Sequence, residues 1–135
     1  MYIIKPTFIV DKTKALRNLT RIKEKIARSP GVRFRPHFKT HQSAQIGEWF
    51  REMGVSAITV SSVDMALCFA QHGWTDITIA ILVNPLEIEP IMQLAEAIDL
   101  NLLVDSTDTV VFLARRVIPS PAKNIKLWIK IDTAY

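Results

Sequence analysis

Apolar residues recur along this chain with two spacings that alternate from one segment to the next. Short runs of neighbouring or alternating apolar residues are typical of strands, and an apolar residue at every third or fourth position is typical of an amphipathic helix. Successive strand starts lie 24, 21, 23 and 25 residues apart, which fits repeated βα units and a parallel sheet. The five predicted strands are Val32–Thr40, Ser56–Val60, Ile77–Val83, Leu100–Val104 and Ile125–Ile131.

A helix is predicted before the first strand, and four more lie between the strands. The first runs from its N-cap Asp11 to about Arg28, where Ser29-Pro30-Gly31 ends it. Cys68 belongs to the apolar stripe of a later helix, so we expect it to be a core residue. Because a single cysteine cannot form an internal disulfide, a reducing cytoplasmic compartment is the simplest interpretation.

A repeated βα pattern fits either an open doubly wound sheet or a closed eight-stranded barrel. Five strands complete an open sheet but leave a barrel about three strands short. No Gly-x-Gly-x-x-Gly or Walker-type loop follows a predicted strand, and the chain has only four glycines. The missing loop weakens the case for a dinucleotide-binding sheet, although periodicity alone does not choose between the two architectures.

Positive charge is concentrated at the start of the chain. Residues 1–42 contain eleven Lys or Arg and two Asp or Glu, whereas the whole chain has a net charge of +4. A basic end can bind nucleic acid, but no aromatic residues are interleaved for base stacking, which favours the solvated face of one helix. No apolar run reaches the roughly 18 residues of a membrane span, and no secretory signal is visible. We therefore expect neither nucleic acid nor membrane as a partner.

The predicted strand Val32–Thr40 alternates between apolar and basic residues. A solvated edge strand would explain this pattern, and so would a central strand whose basic side chains line a cavity. We favour the cavity, because helices precede and follow the strand and an interior parallel strand is otherwise apolar on both faces. Lys39 and His41 then lie at the C-terminal end, where α/β folds bind ligands. The basic positions on one face are Arg33, Arg35, His37 and Lys39.

A lysine in such a cavity can be used in two ways. Desolvation and neighbouring cations favour its neutral amine, which can attack an aldehyde and form a Schiff base. The lysine can equally pair with a carboxylate, and Asp105 and Asp132 at predicted strand ends are candidates. The residues alone leave both uses open.

The segment Arg35-Pro36-His37-Phe38-Lys39-Thr40-His41 resembles the Arg-Pro-His-x-Lys-Thr-His motif of the D-threonine aldolase and D-serine dehydratase group. This group belongs to the alanine racemase-like (fold-type III) pyridoxal phosphate enzymes. Three more segments resemble the group in the same order. Residues 6–11 resemble its opening strand, residues 58–66 its second barrel strand and helix, and residues 130–135 its Lys-x-Asp-Thr-Gly segment. The resemblance therefore covers essentially the whole chain.

The resemblance implies an α/β fold, namely the N-terminal part of a (β/α)8 TIM barrel of the alanine racemase N-terminal type. About five of the eight strands would lie in residues 1–135. Pyridoxal 5′-phosphate is the implied cofactor at the barrel mouth, with Lys39 as the Schiff-base lysine and His37, His41 and Tyr135 as pocket residues. Arg35 is implied to be either a cofactor contact or part of an internal ion pair lower in the barrel.

The implied activity is that of a lyase that acts on D-amino acids, by β-elimination or by retro-aldol cleavage. A divalent metal, Zn or Mn, is expected only in full-length members. Its ligands, like the C-terminal β domain, would lie outside this chain, so no metal-binding residue is assigned. We therefore expect a truncated portion of an enzyme that self-associates or forms a homodimer. An amino-acid racemase and a non-catalytic pyridoxal-phosphate-binding barrel are the alternatives.

Two positions depart from the family pattern. Gln42 stands where lysine is common, and Ala134 stands where glycine is usual. The first departure bears on the subgroup and the second on local backbone freedom. Neither changes the role implied for Lys39.

Overall fold

The computed structural model of the protein describes residues 4–119 and 124–134. It divides into two compact units, residues 1–34 and residues 35–135. Among the described residues, the first unit holds one α-helix, α1 (Lys12–Ala27), and the second unit holds a parallel sheet, four α-helices and two 3₁₀ turns.

Helix α1 begins where the sequence predicts. The carboxylate of Asp11 accepts a hydrogen bond from the backbone N–H of Lys14 at 3.0 Å. This bond satisfies one of the N–H groups that a helix start leaves unpaired, and it stabilises the first turn. The helix buries Leu19 and ends ahead of Gly31, whose φ of 84° is one that glycine adopts without steric cost. The predicted N-cap and helix are confirmed.

Four parallel strands form the sheet of the second unit, and they lie side by side in chain order. Each coincides with one of the predicted strands, so the predicted α/β class with a parallel sheet is confirmed. The strands are β1 (Ile58–Val60), β2 (Asp76–Leu82), β3 (Asp99–Val104) and β4 (Ile125–Ile129).

A helix precedes the first strand of this sheet, and a helix follows each of the first three. Serine hydroxyls accept a hydrogen bond from a backbone N–H in the first turn of three of them, at Ser43, Ser62 and Ser106. Each serine is the N-cap residue: its own backbone is still extended, and its hydroxyl pairs with an N–H that the helix start would leave unpaired. The four helices are α2 (Ala44–Glu52), α3 (Val63–Gln71), α4 (Ile88–Ala97) and α5 (Thr107–Val117).

The two faces of the sheet differ in chemistry. Helices α3 and α4 contact the strands, and alternate strand residues form an apolar buried layer. Burial of such a side chain contributes roughly 1.5–3 kcal/mol, so this layer carries much of the stability of the unit. The layer consists of Ile58, Val60, Ile77, Ile79, Leu100, Leu102 and Val104. The opposite face presents polar residues, among them Asp76, Thr78 and Asn101.

The prediction of a continuous strand over Val32–Thr40 is wrong. Val32 is 55% exposed, and the segment makes one isolated parallel bridge, between His37 and Thr59. A 3₁₀ turn follows over Phe38–Thr40. The physical reason lies in Pro36, which has no N–H to donate to a neighbouring strand and so cannot sit within a regular ladder.

The prediction that Cys68 is a core residue is also wrong, because its side chain is exposed on α3. The apolar side of that helix is formed instead by Val63, Ala66 and Phe69, which are buried. Among the described residues, no helix is both long enough and apolar enough to cross a membrane.

Candidate functional site

Lys39 lies in the 3₁₀ turn that follows the bridge between His37 and Thr59. Because this bridge is parallel, the residues after His37 lie toward the carboxyl end of β1. That end of a parallel sheet is where ligands bind in α/β folds. The side chain of Lys39 is exposed, which corrects the expectation that it is desolvated.

His37 is held against the backbone of the same turn. Its Nδ1 accepts a hydrogen bond from the backbone N–H of Lys39 at 3.2 Å. In the neutral ring Nδ1 is therefore unprotonated, and Nε2 carries the proton as a donor. Burial, and after it the positive charge of Lys39, lowers the pKa of His37 below 6.5. The structure thus brings two of the sequence-predicted site residues together.

His41 lies on a different side of the turn. Its ring is 4.5 Å from that of Phe38 and 5.8 Å from that of Phe50, measured between ring centroids. Its Nδ1 accepts a hydrogen bond from the backbone N–H of Ser43 at 3.1 Å, while its Nε2 is buried without a hydrogen-bond partner among the described residues. Burial lowers the pKa of His41, and the bond from Ser43 opposes part of that effect.

The aromatic cluster that receives His41 centres on Phe38, which is fully buried. Its ring makes edge-on contacts with Phe50, Phe69 and Trp74 at centroid distances of 5.1, 5.1 and 5.2 Å. Such contacts add to the stabilisation that comes from burial. The residue next to Lys39 is therefore fixed in the core of the unit.

Both positions that depart from the family pattern adopt a left-handed backbone. Gln42 has φ 47° and Ala134 has φ 51°, a region that glycine occupies at lower cost than other residues. At Ala134 this explains why glycine is usual there. Gln42 directly follows His41, so the strained residue closes the turn that carries Lys39.

Arg35 forms an ion pair with Asp76 at the start of β2. Its two terminal nitrogens donate to the two carboxylate oxygens at 2.8 and 2.9 Å, and both side chains are about three-quarters buried, with exposures of 21% and 26%. Of the two roles left open for Arg35, the internal ion pair is the one observed. Tyr135, also expected at the site, lies outside the described residues.

A polar network continues from this ion pair across the sheet. Asn101 on β3 donates to Asp76 at 2.9 Å and to the backbone oxygen of Ile77 at 3.2 Å. Trp128 on β4 donates from its indole N–H to the side-chain oxygen of Asn101 at 3.2 Å. We call Arg35, Asp76, Asn101 and Trp128 the polar layer.

Sequence reasoning named no partner for Arg35, and it missed Asp76 in that role as well as Asn101 and Trp128 behind it. The carboxylates at strand ends were offered only as possible partners of Lys39. Asp105 is exposed, and Asp132 accepts a hydrogen bond from the backbone N–H of Ala134. A signal was present in Asn101, a polar residue inside the otherwise apolar strand Leu100–Val104.

The electrostatics of the polar layer favour an ionised carboxylate. Burial is the largest influence on Asp76 and by itself raises the pKa of the carboxyl group. The hydrogen bonds and charge of Arg35, with smaller contributions from Asn101 and Lys126, outweigh burial and lower that pKa below 3.8. The pair therefore stays charged at neutral pH.

A cavity of about 270 Å³ lies on the same face of the sheet. Thr78 contributes to it, and its hydroxyl is buried without a partner among the described residues. Within residues 4–119 and 124–134, no three His, Cys, Asp or Glu side chains converge on a point that could hold a metal ion. The cavity is lined by Arg35, Thr78, Leu103, Trp128 and residues 129–131.

The chain is similar in sequence to two dehydratases of D-amino acids. It is 33% identical over 129 residues to a D-threo-3-hydroxyaspartate dehydratase of Delftia sp. (strain HT23), an alignment that covers 95% of this chain and 33% of that protein. It is 29% identical over 139 residues to a D-serine dehydratase of Dictyostelium discoideum, covering 96% of this chain and 35% of that protein. The chain thus spans about a third of the length of these relatives.

Solved structures agree with the sequences. The D-threo-3-hydroxyaspartate dehydratase from Delftia sp. HT23 superposes with a TM-score of 0.82 at 34% identity, covering 92% of this chain and 32% of that one. A D-threonine aldolase from Filomicrobium marinum gives a TM-score of 0.82 at 26% identity, with coverage of 92% and 33%. The resemblance to the aldolase and dehydratase group is therefore confirmed.

A protein-family pattern described as the alanine racemase N-terminal domain matches residues 10–135. That match includes Lys39 and its turn, the four strands and the polar layer. On this evidence the chain belongs to the alanine racemase N-terminal domain family.

Proposed function

We propose that this chain is the cofactor-attaching portion of a pyridoxal-phosphate-dependent lyase that acts on D-amino acids, with Lys39 as the residue that binds the cofactor covalently. The observation that carries the proposal is the placement of Lys39. Its side chain is exposed in a turn at the carboxyl end of a parallel sheet, and its backbone N–H donates to Nδ1 of His37.

The residues of the turn fit the group. Covalent attachment requires an accessible primary amine, and Lys39 provides one. An anionic cofactor also requires a cationic or hydrogen-donating surround, to which the Nε2–H of His37 contributes. When bound, pyridoxal phosphate acts as an electron sink that weakens the bonds at the α-carbon of an amino acid.

The other residues of the turn act on Lys39 in different ways. Nδ1 of His37 accepts a hydrogen bond from the backbone N–H of Lys39. This bond orients the turn and leaves the ring proton of His37 on Nε2. His41 enters the proposal as a positioning residue, because its ring lies in the aromatic cluster and its Nδ1 holds the backbone of Ser43. Tyr135 is kept as a proposed pocket residue on the family resemblance alone.

The substrate class follows from the relatives. Two of them are dehydratases of D-amino acids with a β-hydroxyl group, and a third is an aldolase of D-threonine. A hydroxy D-amino acid is therefore the proposed substrate, and elimination or retro-aldol cleavage is the proposed reaction. Racemisation and cofactor binding without turnover are kept as outcomes of the test.

Cofactor capture is the first test. The chain is incubated with pyridoxal 5′-phosphate, reduced with borohydride and mapped by mass spectrometry. We expect modification of Lys39 well ahead of Lys25, an exposed lysine in the last turn of α1 that serves as an internal control. Equal modification of both lysines, or an unchanged visible absorbance band in Lys39→Ala, would contradict the proposal.

Turnover is the second test. D-threo-3-hydroxyaspartate, D-serine and D-threonine are each supplied with the cofactor, with and without a divalent metal. Ammonia with an oxo acid indicates elimination, and glycine with an aldehyde indicates retro-aldol cleavage. Appearance of the L-enantiomer would instead favour a racemase, and capture at Lys39 without any product would favour a binding protein.

A further inference from the structure

The segment that leads to Lys39 is held to the sheet by little backbone structure. Its one bridge is that between His37 and Thr59, in which the N–H of Thr59 donates to the backbone oxygen of Pro36 at 2.8 Å. A regular parallel strand would provide a row of such bonds. Something other than a ladder must therefore fix where this segment lies along β1.

The side chain of Arg35 supplies contacts of that kind. Besides its two bonds to Asp76, one of its nitrogens lies 3.4 Å from the backbone oxygen of Ile58 on β1 and 3.4 Å from that of Asp76 on β2. A guanidinium that meets a carboxylate through two parallel bonds fixes orientation as well as distance. Arg35 thus ties its own segment to two strands at once.

The carboxylate that receives Arg35 is itself held in place. Asn101 donates to Asp76 from β3, and Trp128 donates to Asn101 from β4. Because Asn101 is almost fully buried, its amide has few other positions available. The anchor for Arg35 is therefore set by the sheet as a whole rather than by one mobile side chain.

A second anchor acts three residues later, where Phe38 is fully buried in the aromatic cluster. Arg35 and Phe38 hold the segment on opposite sides, and Lys39 is the next residue. We propose that the Arg35–Asp76 ion pair is a positioning pair that sets the height of the Lys39 turn on the sheet. The role of Lys39 rests on the proposed function, whereas the positioning itself does not.

Hydrogen exchange of single amides in the full chain, followed by NMR, tests the positioning without any cofactor. The amide of Thr59 reports the bridge to Pro36, and that of Val83, which donates to Leu103 at 3.0 Å, reports the remainder of the sheet. In Asp76→Asn we expect Thr59 to exchange about tenfold faster, as for the loss of a charge-assisted bond, and Val83 to change less than about twofold.

The control is Glu89→Gln, which removes the carboxylate of the exposed ion pair between Glu89 and Arg116 and should leave both amides unchanged. Arg35→Lys retains the charge but not the two parallel bonds, so it should increase the exchange rate of the Thr59 amide by less. It replaces Asp76→Asn as the test if that variant does not fold. Equal acceleration at Thr59 and Val83 would mean a general loss of stability and would overturn the proposal. An unchanged Thr59 amide would overturn it as well.

Cofactor capture separates this inference from the proposed function. We expect the rate of pyridoxal phosphate capture at Lys39 to fall severalfold in Asp76→Asn and to be partly restored in Arg35→Lys. If the native chain captures no cofactor but the exchange pattern holds, the proposed function fails and the positioning stands. If capture proceeds at the native rate in Asp76→Asn, the positioning proposal fails.

Discussion

The two faces of the parallel sheet are built from the same strands, but different kinds of contact stabilise them. The face toward the helices consists of apolar side chains that are almost fully buried. The opposite face carries the polar layer, whose members are held by specific hydrogen bonds and an ion pair. Substitution by a similar apolar residue is tolerated in the first kind of contact, whereas the second depends on matched partners.

The segment that leads to Lys39 contacts both faces of the sheet. The residue before it is buried on the apolar side, and Arg35, four residues before it, belongs to the polar layer. Stability therefore depends mainly on the apolar side, whereas the proposed placement of the turn depends on the polar layer together with Phe38.

The largest expected effect comes from the apolar side. Phe38→Ala removes a fully buried ring at the centre of the aromatic cluster, and we expect it to lower the free energy of unfolding by about 3–5 kcal/mol. Phe38→Leu retains most of the volume and should cost clearly less. Urea denaturation followed by circular dichroism measures both, and equal losses would show that retained apolar volume does not compensate for the lost ring.

The polar layer gives a smaller effect that depends on partners. Asn101→Leu removes the amide that holds Asp76 and Trp128, and we expect a loss of about 1–3 kcal/mol. Thr78→Val is the matched control on the same face, because the hydroxyl of Thr78 is buried without a partner among the described residues. It should be neutral or stabilising. A larger loss in Thr78→Val than in Asn101→Leu would contradict this account.

Acid should weaken the two regions in separate pH ranges. The pKa values of His37 and His41 are lowered in the folded protein. The stability that their neutral forms provide is therefore complete above about pH 6.5 and is lost as the pH falls below that value. The pKa of Asp76 is also lowered, so the stability that its carboxylate provides is complete above about pH 3.8 and is lost as the pH falls below that value. Urea midpoints measured across pH should show both steps.

Variants assign each step. His41→Phe should reduce the upper step and leave the lower one, because phenylalanine does not titrate in the aromatic cluster. Asp76→Asn should reduce the lower step while leaving the upper one. If His41→Phe leaves the upper step unchanged, the burial of His41 has no role in the acid response.

The smallest effect is expected on the exposed side of α3. Cys68→Ser changes a side chain that reaches solvent, and we expect the free energy of unfolding to change by less than about 0.5 kcal/mol. Thermal unfolding under reducing conditions measures this. A loss of several kcal/mol would mean that the thiol is buried and that the sequence-based expectation was correct after all.

Periodicity was enough to predict the sheet, because each strand buries one apolar side and is followed by a capped helix. It failed at Val32–Thr40, where the alternation is real but Pro36 prevents a ladder. It failed again at Cys68, because the apolar stripe of α3 allowed two rotations of the helix that differ in which residues are buried. Hydropathy ranks a residue but does not fix that rotation.

The surroundings of Lys39 were harder to predict for a related reason. The short motif was sufficient to indicate the family, but its segment was predicted as a strand and the 3₁₀ turn was not foreseen. The partners of Arg35 are 23 and 41 residues away along the chain, and only the packing of its segment on the sheet brings them together. Local pattern carries no information about which carboxylate a given cation meets, so Asp76 could not be named as the partner of Arg35.

The indole of Trp128 gives the polar layer an optical reporter. Trp128 is 50% exposed and bonded to Asn101, whereas Trp74 is 2% exposed. An indole in a polar, partly hydrated setting emits at longer wavelength than one in an apolar core. In Trp49→Phe, which removes the third tryptophan of the chain, Trp128 and Trp74 should therefore contribute distinct components to the fluorescence. A solute that reaches the cavity beside Arg35 should quench the red component first, and the state of this face can then be followed by light alone.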